Sequence, residues 1–337
     1  MGYAITYCPA YEKLSRFLTQ YGEGSMAFSS FQPNMKYFID EDLGYLPFLY
    51  LQHFLFAPKG MNVIIGDPIC SSGSFEQLFE RYLQSSSEQA TAFIHLSEHY
   101  ARELSRRGYF VNEMGVEHLI KLPDFDVGLP GAKYAHIRRW RNKAQKSGVE
   151  VREQAFADVP VEAIEKVNRY WLGNKGGVEF IGLMRPLRIE DKADVRYFWA
   201  YHENQLIGFA CFDPMYSEGK VTGYIHNIAR LLPEAPHGTN DLIILEAIKT
   251  FKAEGIEDYT LGLSPFANLT DGELPHRASF KRIFKFMHNH CQFVYPFKGN
   301  YFHKEKYRAE QKKIYLALLP NSNLYRLLGI FKALNLI

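Results

Sequence analysis

The sequence predicts an α/β protein made of two packed units. The chain has 337 residues, which exceeds one small domain and suits two units. Hydrophobic residues make up 47% and aromatic residues 15% of it, enough apolar surface for a well-filled core. Patterns typical of helices and strands alternate along the chain. The order helix, strands, helix, strand occurs twice, although no residue-level repeat is visible.

The first unit is predicted to span residues 1–128. Leu14, Phe17 and Leu18 lie on one face of a predicted helix. Ser74 and Ser97 are suitable N-caps for two further helices. In chain order, the predicted elements are a helix at 9–21, strands at 26–31, 35–39, 45–56 and 61–65, a helix at 74–83, a strand at 92–96, a helix at 98–107 and a strand at 109–122.

The second unit is predicted to span residues 129–337 and to carry the active site. A link rich in proline and glycine, residues 123–131, precedes its first helix. Its predicted elements are a basic helix at 136–146, a strand at 149–153, a helix at 161–172, and strands at 195–201, 206–214 and 220–229. An amphipathic helix and a strand at 259–263 follow. A last apolar helical stripe contains Leu324, Leu327, Leu328, Phe331 and Leu334.

Charge and composition exclude several classes of protein. Lys and Arg total 39 and Asp and Glu total 37, so no global basic field for nucleic acid exists. No apolar run approaches the roughly 18 residues of a membrane span, and the N-terminus lacks a signal-peptide pattern. We expect a cytoplasmic protein, or one held peripherally at the inner membrane face. We expect no metal site, because no standard zinc spacing fits His288, His290, Cys291 and His303.

Residues 227–265 form the most informative block. A strand ending near Arg230 is followed by a loop with prolines and glycine, then by a helix and a strand closing on Leu261-Gly262-Leu263. The free N–H groups at the start of that helix and the positive end of its dipole would lie beside the strand. This arrangement is typical of a transferase core.

Four segments together resemble a known family. They read V-I-I-G-D-P at 63–68, H-I-R-R-W-R-N-K-A at 136–144, the block from Arg230 to Gly262, and F-V-Y-P-F-K-G at 293–299 followed by Lys304 and Lys306. In order and spacing they resemble the C-terminal domain of bacterial phosphatidylglycerol lysyltransferases, the aminoacyl-phosphatidylglycerol synthases.

The resemblance implies a fold and a reaction. The fold would be two tandem GNAT-like (acyl-CoA N-acyltransferase-like) halves, with mixed, mainly antiparallel sheets flanked by helices. The reaction would move an aminoacyl group from aminoacyl-tRNA to a lipid or other small acceptor, with no bound cofactor. The sequence departs from the family in three ways. It does not contain the multi-span membrane domain that usually comes first, and Asn227 stands where the family has an acidic residue. Residues 309–315 replace the family's Asp-Pro-x-Trp-x-Pro-Arg-Tyr run.

Three residues are the catalytic candidates. Arg230 could bind a phosphate or carboxylate through its planar fork, or it could form a salt bridge at a strand end. Asn227 could hydrogen-bond an amino group or an oxyanion, or it could be an ordinary amide beside a turn. On a strand it faces away from Arg230 unless a bulge intervenes. His226 could be the base, or a packed histidine.

Other candidates concern substrate binding. By the resemblance, Glu179 could hold a substrate ammonium, or it could be a solvated loop carboxylate. Tyr295, Lys298, Lys304 and Lys306 lie in an aromatic, basic segment that suits the phosphates and bases of a tRNA end, or that forms a helix with a solvated lysine face.

The basic helix offers a phosphate patch for tRNA. Its members are Arg138, Arg139, Arg141 and Lys143, with ordinary solvation of a basic helix as the alternative. The apolar stripe at 324–334 could pack on the protein's own core or lie on a membrane surface as a peripheral contact.

Two further functions remain open. The chain could be an acyl-CoA N-acyltransferase, with acyl-CoA as co-substrate. The loop at 231–238 argues against this, because Pro233 and Pro236 donate no N–H and Glu234 repels a pyrophosphate. Alternatively, the chain could be a non-catalytic binding module on the same fold, which Asn227 in place of an acid would suit.

Overall fold

The computed structural model describes residues 11–174, 182–187 and 194–335. The α-helices in these residues are α1 (Tyr11–Tyr21), α2 (Phe75–Ser85), α3 (Glu98–Arg106), α4 (Ala135–Lys146), α5 (Val161–Asn174), α6 (Thr239–Ala253), α7 (Ala278–His290), α8 (Phe297–Glu305) and α9 (Leu324–Ala333). The strands are β1 (Lys36–Asp40), β2 (Gly44–His53), β3 (Ala57–Ile65), β4 (Ile69–Cys70), β5 (Ala90–Leu96), β6 (Val111–Lys121), β7 (Val149–Glu153), β8 (Arg196–His202), β9 (Gln205–Ser217), β10 (Lys220–Leu231), β11 (Asp258–Pro265) and β12 (Glu310–Leu319).

The strands of the described residues join into one twelve-stranded sheet. Its order is β1-β2-β3-β5-β12-β6-β11-β10-β9-β8-β7, with the short β4 paired to β2. Two neighbouring pairs, β3 with β5 and β10 with β11, are parallel, and the other pairs are antiparallel. The predicted α/β class with a mixed, mainly antiparallel sheet flanked by helices is confirmed.

The same pattern of elements occurs at both ends of the sheet. β1, β2 and β3 are antiparallel, and α2 then leads to β5, which lies parallel to β3. In the same way β8, β9 and β10 are antiparallel, and α6 leads to β11, parallel to β10. β12 comes from the end of the chain and pairs with both β5 and β6, so the middle of the sheet is built from distant segments. The boundary near residue 128 stays a prediction.

Helices cover both faces of the sheet. In the second half, α4 and α6 pack on one face around Phe212 and Phe251, while α5 packs on the other around Trp199. In the first half, α2 and α3 cover one face around Phe93. α7 and α9 cover the opposite face around Val63. Strands buried on both faces explain the nearly continuous apolar runs in the sequence.

One prediction about local structure needs correction. The strand predicted at 26–31 is wrong, because this segment contains a 3-10 turn at Phe28–Ser30 and no strand. All six residues are buried. An unbroken apolar run is compatible with either conformation. The sequence patterns also missed α7 and β12. The stripe of α9 packs on the protein's own core, with Leu327, Phe331 and Leu334 buried.

The parallel strands part where their backbones are irregular. β10 and β11 stay paired only from Gly223 opposite Asp258 to Ile225 opposite Thr260. Beyond this point β10 bulges at Asn227 and β11 loses register around Gly262, whose φ is +78°. A positive φ favours glycine, and bulges bend strands apart. The parting strands open a cavity between them.

Candidate active site

The cavity between β10 and β11 has a volume of about 260 Å³. The start of α6, the inner face of α8 and residues 183–184 close its sides. Met26 and His95 from the first half complete its wall, so both halves contribute to it. The polar side chains that line it are His95, His226, Asn227, Asn240, Tyr295, Asn300, His303 and Lys304.

Lys304 is the one lysine or arginine among the described residues of this lining. Its side chain is only 8% exposed, and Nζ donates a hydrogen bond of 2.7 Å to the carbonyl oxygen of Leu263. A Cβ atom on Gly262 would lie 3.7 Å from Nζ, an ordinary van der Waals contact, so it is the positive φ of this residue that favours glycine. Burial lowers the pKa of Lys304 to about 7, partly opposed by the charge of Glu117. A large fraction is therefore the neutral amine at neutral pH, which can accept a proton.

Two of the three histidines of the lining, His226 and His303, are neutral at physiological pH. Burial, with the neighbouring His303 and Lys304, lowers the pKa of His226 to about 3. Burial, with Lys306, lowers that of His303 to about 4, and its Nε2 lies 3.2 Å from Asn240 Nδ2. A base works best when its pKa is near the working pH, so Lys304 matches that role better than His226 does.

Asn227 lies at the bulge of β10 and lines the cavity. Its Oδ1 accepts a 3.2 Å hydrogen bond from the backbone N–H of Arg185, and its Nδ2 donates a 3.1 Å bond to the Arg185 carbonyl. Both ends of the amide are thus used to hold residues 182–187 against the sheet. This geometry indicates a positioning role at the cavity wall.

Asn227→Asp is expected to destabilise the chain by about 1–2 kcal/mol without raising any transfer rate. The carboxylate loses the donor to the Arg185 carbonyl and places an oxygen against it. Urea unfolding at pH 8 measures the change, with the exposed Asn204→Asp as the matched control. Unchanged stability together with a faster reaction would show that position 227 needs the acid of the family for catalysis.

Arg230 lies on the opposite face of β10 from α6. Its neighbours two residues away, Ile228 and Leu232, belong to the core under α5. Arg230 is 1% exposed, and its guanidinium carbon lies 4.9 Å from the centroid of the Trp171 ring. The described residues that line the cavity do not include Arg230.

A second buried arginine was not singled out from the sequence. Arg185 (3% exposed) forms two hydrogen bonds, of 2.5 and 2.9 Å, with the carboxylate of Asp213, which is fully buried. A signal for it existed, because Asp213 is a charge inside an apolar strand pattern and such a charge needs a partner. The pair anchors residues 182–187, which also contact Asn227.

The substrate-binding candidates separate in space. Tyr295 and Lys304 line the cavity, whereas Lys298 is exposed at the start of α8. Lys306 pairs with Asp241 at 2.5 Å. Glu179 lies outside the described residues.

A chain of hydrogen bonds supports the wall formed by α8. Asn300 donates to the Tyr295 hydroxyl at 2.8 Å and accepts from Ser264 at 3.0 Å. Ser264 also contacts His118 Nε2 at 3.1 Å. Burial raises the pKa of Tyr295 to about 12, so its hydroxyl stays protonated.

The basic helix α4 lies over the start of α6. Arg139 and Lys143 are exposed, and both contact the Trp140 ring. Arg141 donates to Asn142 at 3.1 Å. Arg138 instead donates to the carbonyls of Leu129 and Gly131, so it anchors the preceding loop.

The N-terminus of α6 is already occupied. A Cβ atom on Gly238 would lie only 2.1 Å from the Trp140 carbonyl oxygen, so α4 is in close contact there. In the first turn, Asp241 accepts hydrogen bonds from the Tyr307 hydroxyl and from Lys306. A buried carboxylate in this position opposes the binding of a pyrophosphate, as in acyl-CoA.

The described ranges lack two kinds of feature. None of their helices has the length and apolar character needed to cross a membrane. The same ranges contain no group of three or more His, Cys, Asp or Glu side chains that could hold a metal ion.

Comparisons with known proteins support the family resemblance that the four sequence segments indicate. A curated phosphatidylglycerol lysyltransferase from Bacillus subtilis is 25% identical over 319 residues, which cover 93% of this chain and 35% of that protein. The chain thus spans about a third of this relative's length. The structure of L-PGS from Bacillus licheniformis matches 98% of this chain and 97% of its own, with a TM-score of 0.78 and 19% identity.

A second solved structure has the same fold. The C-terminal domain (DUF2156) of a putative lysylphosphatidylglycerol synthetase from Agrobacterium fabrum covers 95% of this chain and 94% of its own, with a TM-score of 0.76 and 18% identity. A family model described as "Phosphatidylglycerol lysyltransferase, C-terminal" matches residues 15–318. The resemblance seen in the sequence is confirmed, and the chain belongs to this phosphatidylglycerol lysyltransferase C-terminal family.

Proposed function

We propose that this chain transfers an aminoacyl group from aminoacyl-tRNA to a lipid hydroxyl, in the cavity between β10 and β11. The observation that carries the proposal is the buried Lys304. It lines a cavity to which both halves contribute, and its pKa is about 7. The relatives with this fold carry names of lysyltransferases, which supports the choice of reaction.

The chemistry needs little more than positioning and one proton carrier. The ester of an aminoacyl-tRNA is already activated, so correct placement supplies much of the rate. The neutral amine of Lys304 takes the proton of the acceptor hydroxyl while the oxygen of that hydroxyl attacks the ester carbonyl. The resulting ammonium returns that proton to the departing 3′-oxygen of the tRNA, so the amine is regenerated. The hydrogen bond to Leu263 keeps Nζ in place in both protonation states.

The tRNA would contact the basic helix α4. Arg139, Arg141 and Lys143 provide a local positive patch on a chain whose net charge is only +2. Phosphate contacts of this kind are independent of sequence and weaken as salt rises. Arg138 supports the patch by fixing the preceding loop.

A lipid acceptor requires contact with a membrane surface, so we place the chain in the cytoplasm with peripheral contact at the inner membrane face. The C-terminal helix α9 can contribute only its first turn to such a contact. Leu324 and Tyr325 are 49% and 62% exposed there, whereas the rest of the stripe is largely packed on the core. Contact with the membrane surface therefore needs another exposed apolar segment.

The test is transfer of label. We expect label from radiolabelled aminoacyl-tRNA to appear in the lipid fraction when the chain is incubated with phosphatidylglycerol vesicles. We expect no labelled lipid when the chain is omitted. Label that stays on the tRNA, combined with a large saturable rise in melting temperature on adding acetyl-CoA, would favour an acyl-CoA enzyme instead. Label that stays on the tRNA without any such shift would favour a binding module.

A further inference from the structure

Residues 274–304 contain no acidic residue in a chain that is otherwise balanced in charge. The segment runs from after Glu273 to before Glu305, and its cations are Arg277, Lys281, Arg282, Lys285, Lys298 and Lys304. It contains α7, the connecting residues 291–296 and all of α8 except its last residue, Glu305. We call this helix pair with its connection the α7–α8 hairpin.

Three phenylalanines project from the α7–α8 hairpin into solvent. Phe293, in the connection, is 87% exposed, Phe302 on α8 is 66% exposed and Phe286 on α7 is 60% exposed. Other large side chains of the hairpin are used differently, since Phe280, Phe284 and Phe297 are buried in the core. Exposed apolar side chains that are concentrated on one element often mark an interaction surface, whereas single exposed apolar side chains scattered over a protein usually do not.

Cations accompany these phenylalanines. Arg282 lies one helical turn before Phe286, and Lys298 lies one turn before Phe302. Arg282, Lys285 and Lys298 are exposed, and none of them has a carboxylate within 4.0 Å in the ranges that the structure describes. The hairpin therefore presents apolar rings beside positive charges that its own acids do not neutralise.

The hairpin also forms one wall of the cavity. Asn300, His303 and Lys304 on α8 face the cavity, while Lys298 and Phe302 are on the exposed side. Gln292 ties the two helices together, donating to the carbonyl of His288 and accepting from the N–H of Lys298 at 3.2 Å. A surface that the hairpin touches would lie next to the site of transfer.

We infer that the α7–α8 hairpin docks on an anionic lipid surface through Phe286, Phe293 and Phe302. This inference rests on the proposed function for its connection to the acceptor, and it names the contact that the buried stripe of α9 does not supply. Phenylalanine rings partition into the region between headgroups and acyl chains, and nearby Lys and Arg are attracted to anionic headgroups. Docking would bring the lipid hydroxyl to the cavity wall.

RNA is the competing occupant, and the structure favours lipid. The RNA interpretation of this segment depends on a cluster of lysines, but Lys304 faces the cavity and Lys306 pairs with Asp241. Only Lys298 of that cluster is exposed. The helix α4 offers a separate basic surface for phosphates, with Arg139 and Lys143 exposed.

The test uses sedimentation of the full chain with vesicles of phosphatidylglycerol or of phosphatidylcholine. We expect binding to the anionic vesicles that weakens as salt rises, and little binding to the zwitterionic ones. The triple variant Phe286→Ser, Phe293→Ser and Phe302→Ser should bind the anionic vesicles at least about tenfold more weakly. The matched control is Phe54→Ser with Leu55→Ser, which removes exposed apolar groups (86% and 50%) from the β2–β3 turn.

Each outcome has one meaning, provided that thermal melting shows both variants folded. Unchanged vesicle binding by the triple variant, or an equal loss in the control, overturns the inference. A triple variant that binds vesicles normally but binds tRNA more weakly in a filter assay assigns the hairpin to RNA and also overturns it.

A water-soluble short-chain phosphatidylglycerol separates docking from the proposed function. If docking is correct, the triple variant keeps its transfer to this acceptor and loses transfer to vesicles. If the wild-type chain transfers to neither acceptor but still binds anionic vesicles through the three rings, the proposed function fails and the docking surface stands.

Discussion

Lys304→Met is expected to lower kcat/KM for aminoacyl transfer by about 10²–10³-fold. The change keeps a flexible side chain of similar length but removes the amine that exchanges protons with the reacting oxygens, a contribution that general acid–base catalysis puts in this range. Transfer to a short-chain, water-soluble acceptor should be measured, so that membrane contact does not enter. Lys249→Met on α6, where the side chain is 69% exposed, is the matched control and should be as active as the wild type.

The pH dependence of the rate separates a catalytic amine from a structural one. Because the neutral amine is the active form, the wild-type rate should rise with pH and level off above about 7, the pKa of Lys304. The residual rate of Lys304→Met should lack this step. A variant with near-normal activity, or one that keeps the same step, would contradict the role assigned to Lys304.

The same lysine predicts a pH effect on stability. Its pKa is depressed on folding, so between about 7 and its ordinary value of 10.5 the unfolded chain binds more protons than the folded chain does. Stability contributed by this group therefore rises with pH across that window. The difference in unfolding free energy between wild type and Lys304→Met, measured in urea at pH 6.5 and pH 9, should shift in favour of the wild type at the higher pH.

Arg185→Met is expected to destabilise the chain by about 3–5 kcal/mol, the largest effect on stability that we predict. Asp213 is fully buried and would lose a partner that binds it through two hydrogen bonds. Residues 182–187 would also lose one of the contacts that hold them beside the cavity. Urea unfolding of the purified variant measures the change.

A double variant tests the cause of that loss. Arg185→Met with Asp213→Leu removes both charges, so it should recover most of the stability that the single variant loses. Equal instability of the single and double variants would show that lost packing, and not an unpaired buried carboxylate, is responsible.

The sequence predicted most elements of the fold because their signals are local. The Pro/Gly loop after Arg230 and the apolar periodicity behind it locate α6, and the turn after Ile65 ends β3. β12 escaped prediction because its place depends on distant pairing. Leu316 lies opposite Ile94 and Asn112, residues more than 200 positions away, and no local pattern records such a partner.

The candidate site was predictable in part for the same reason. Order and spacing of four segments identified the family and brought His226, Asn227, Tyr295 and Lys304 into consideration, and all four line one cavity. What distinguishes Lys304 from Lys298 and Lys306 is burial against Leu263, which depends on how α8 packs on β11. Spacing along a chain gives no measure of burial. The sequence therefore could not show that Lys304 is buried, that Lys306 pairs with Asp241 and that Lys298 is exposed.

The most direct test of the central claim is a crystal structure with a stable analogue of the donor, an aminoacyl group joined to adenosine through an amide in place of the ester. We expect its aminoacyl carbonyl between β10 and β11, within hydrogen-bonding distance of the Lys304 amine. Analogue bound elsewhere, with this cavity empty, would contradict the assignment of aminoacyl transfer to the Lys304 cavity.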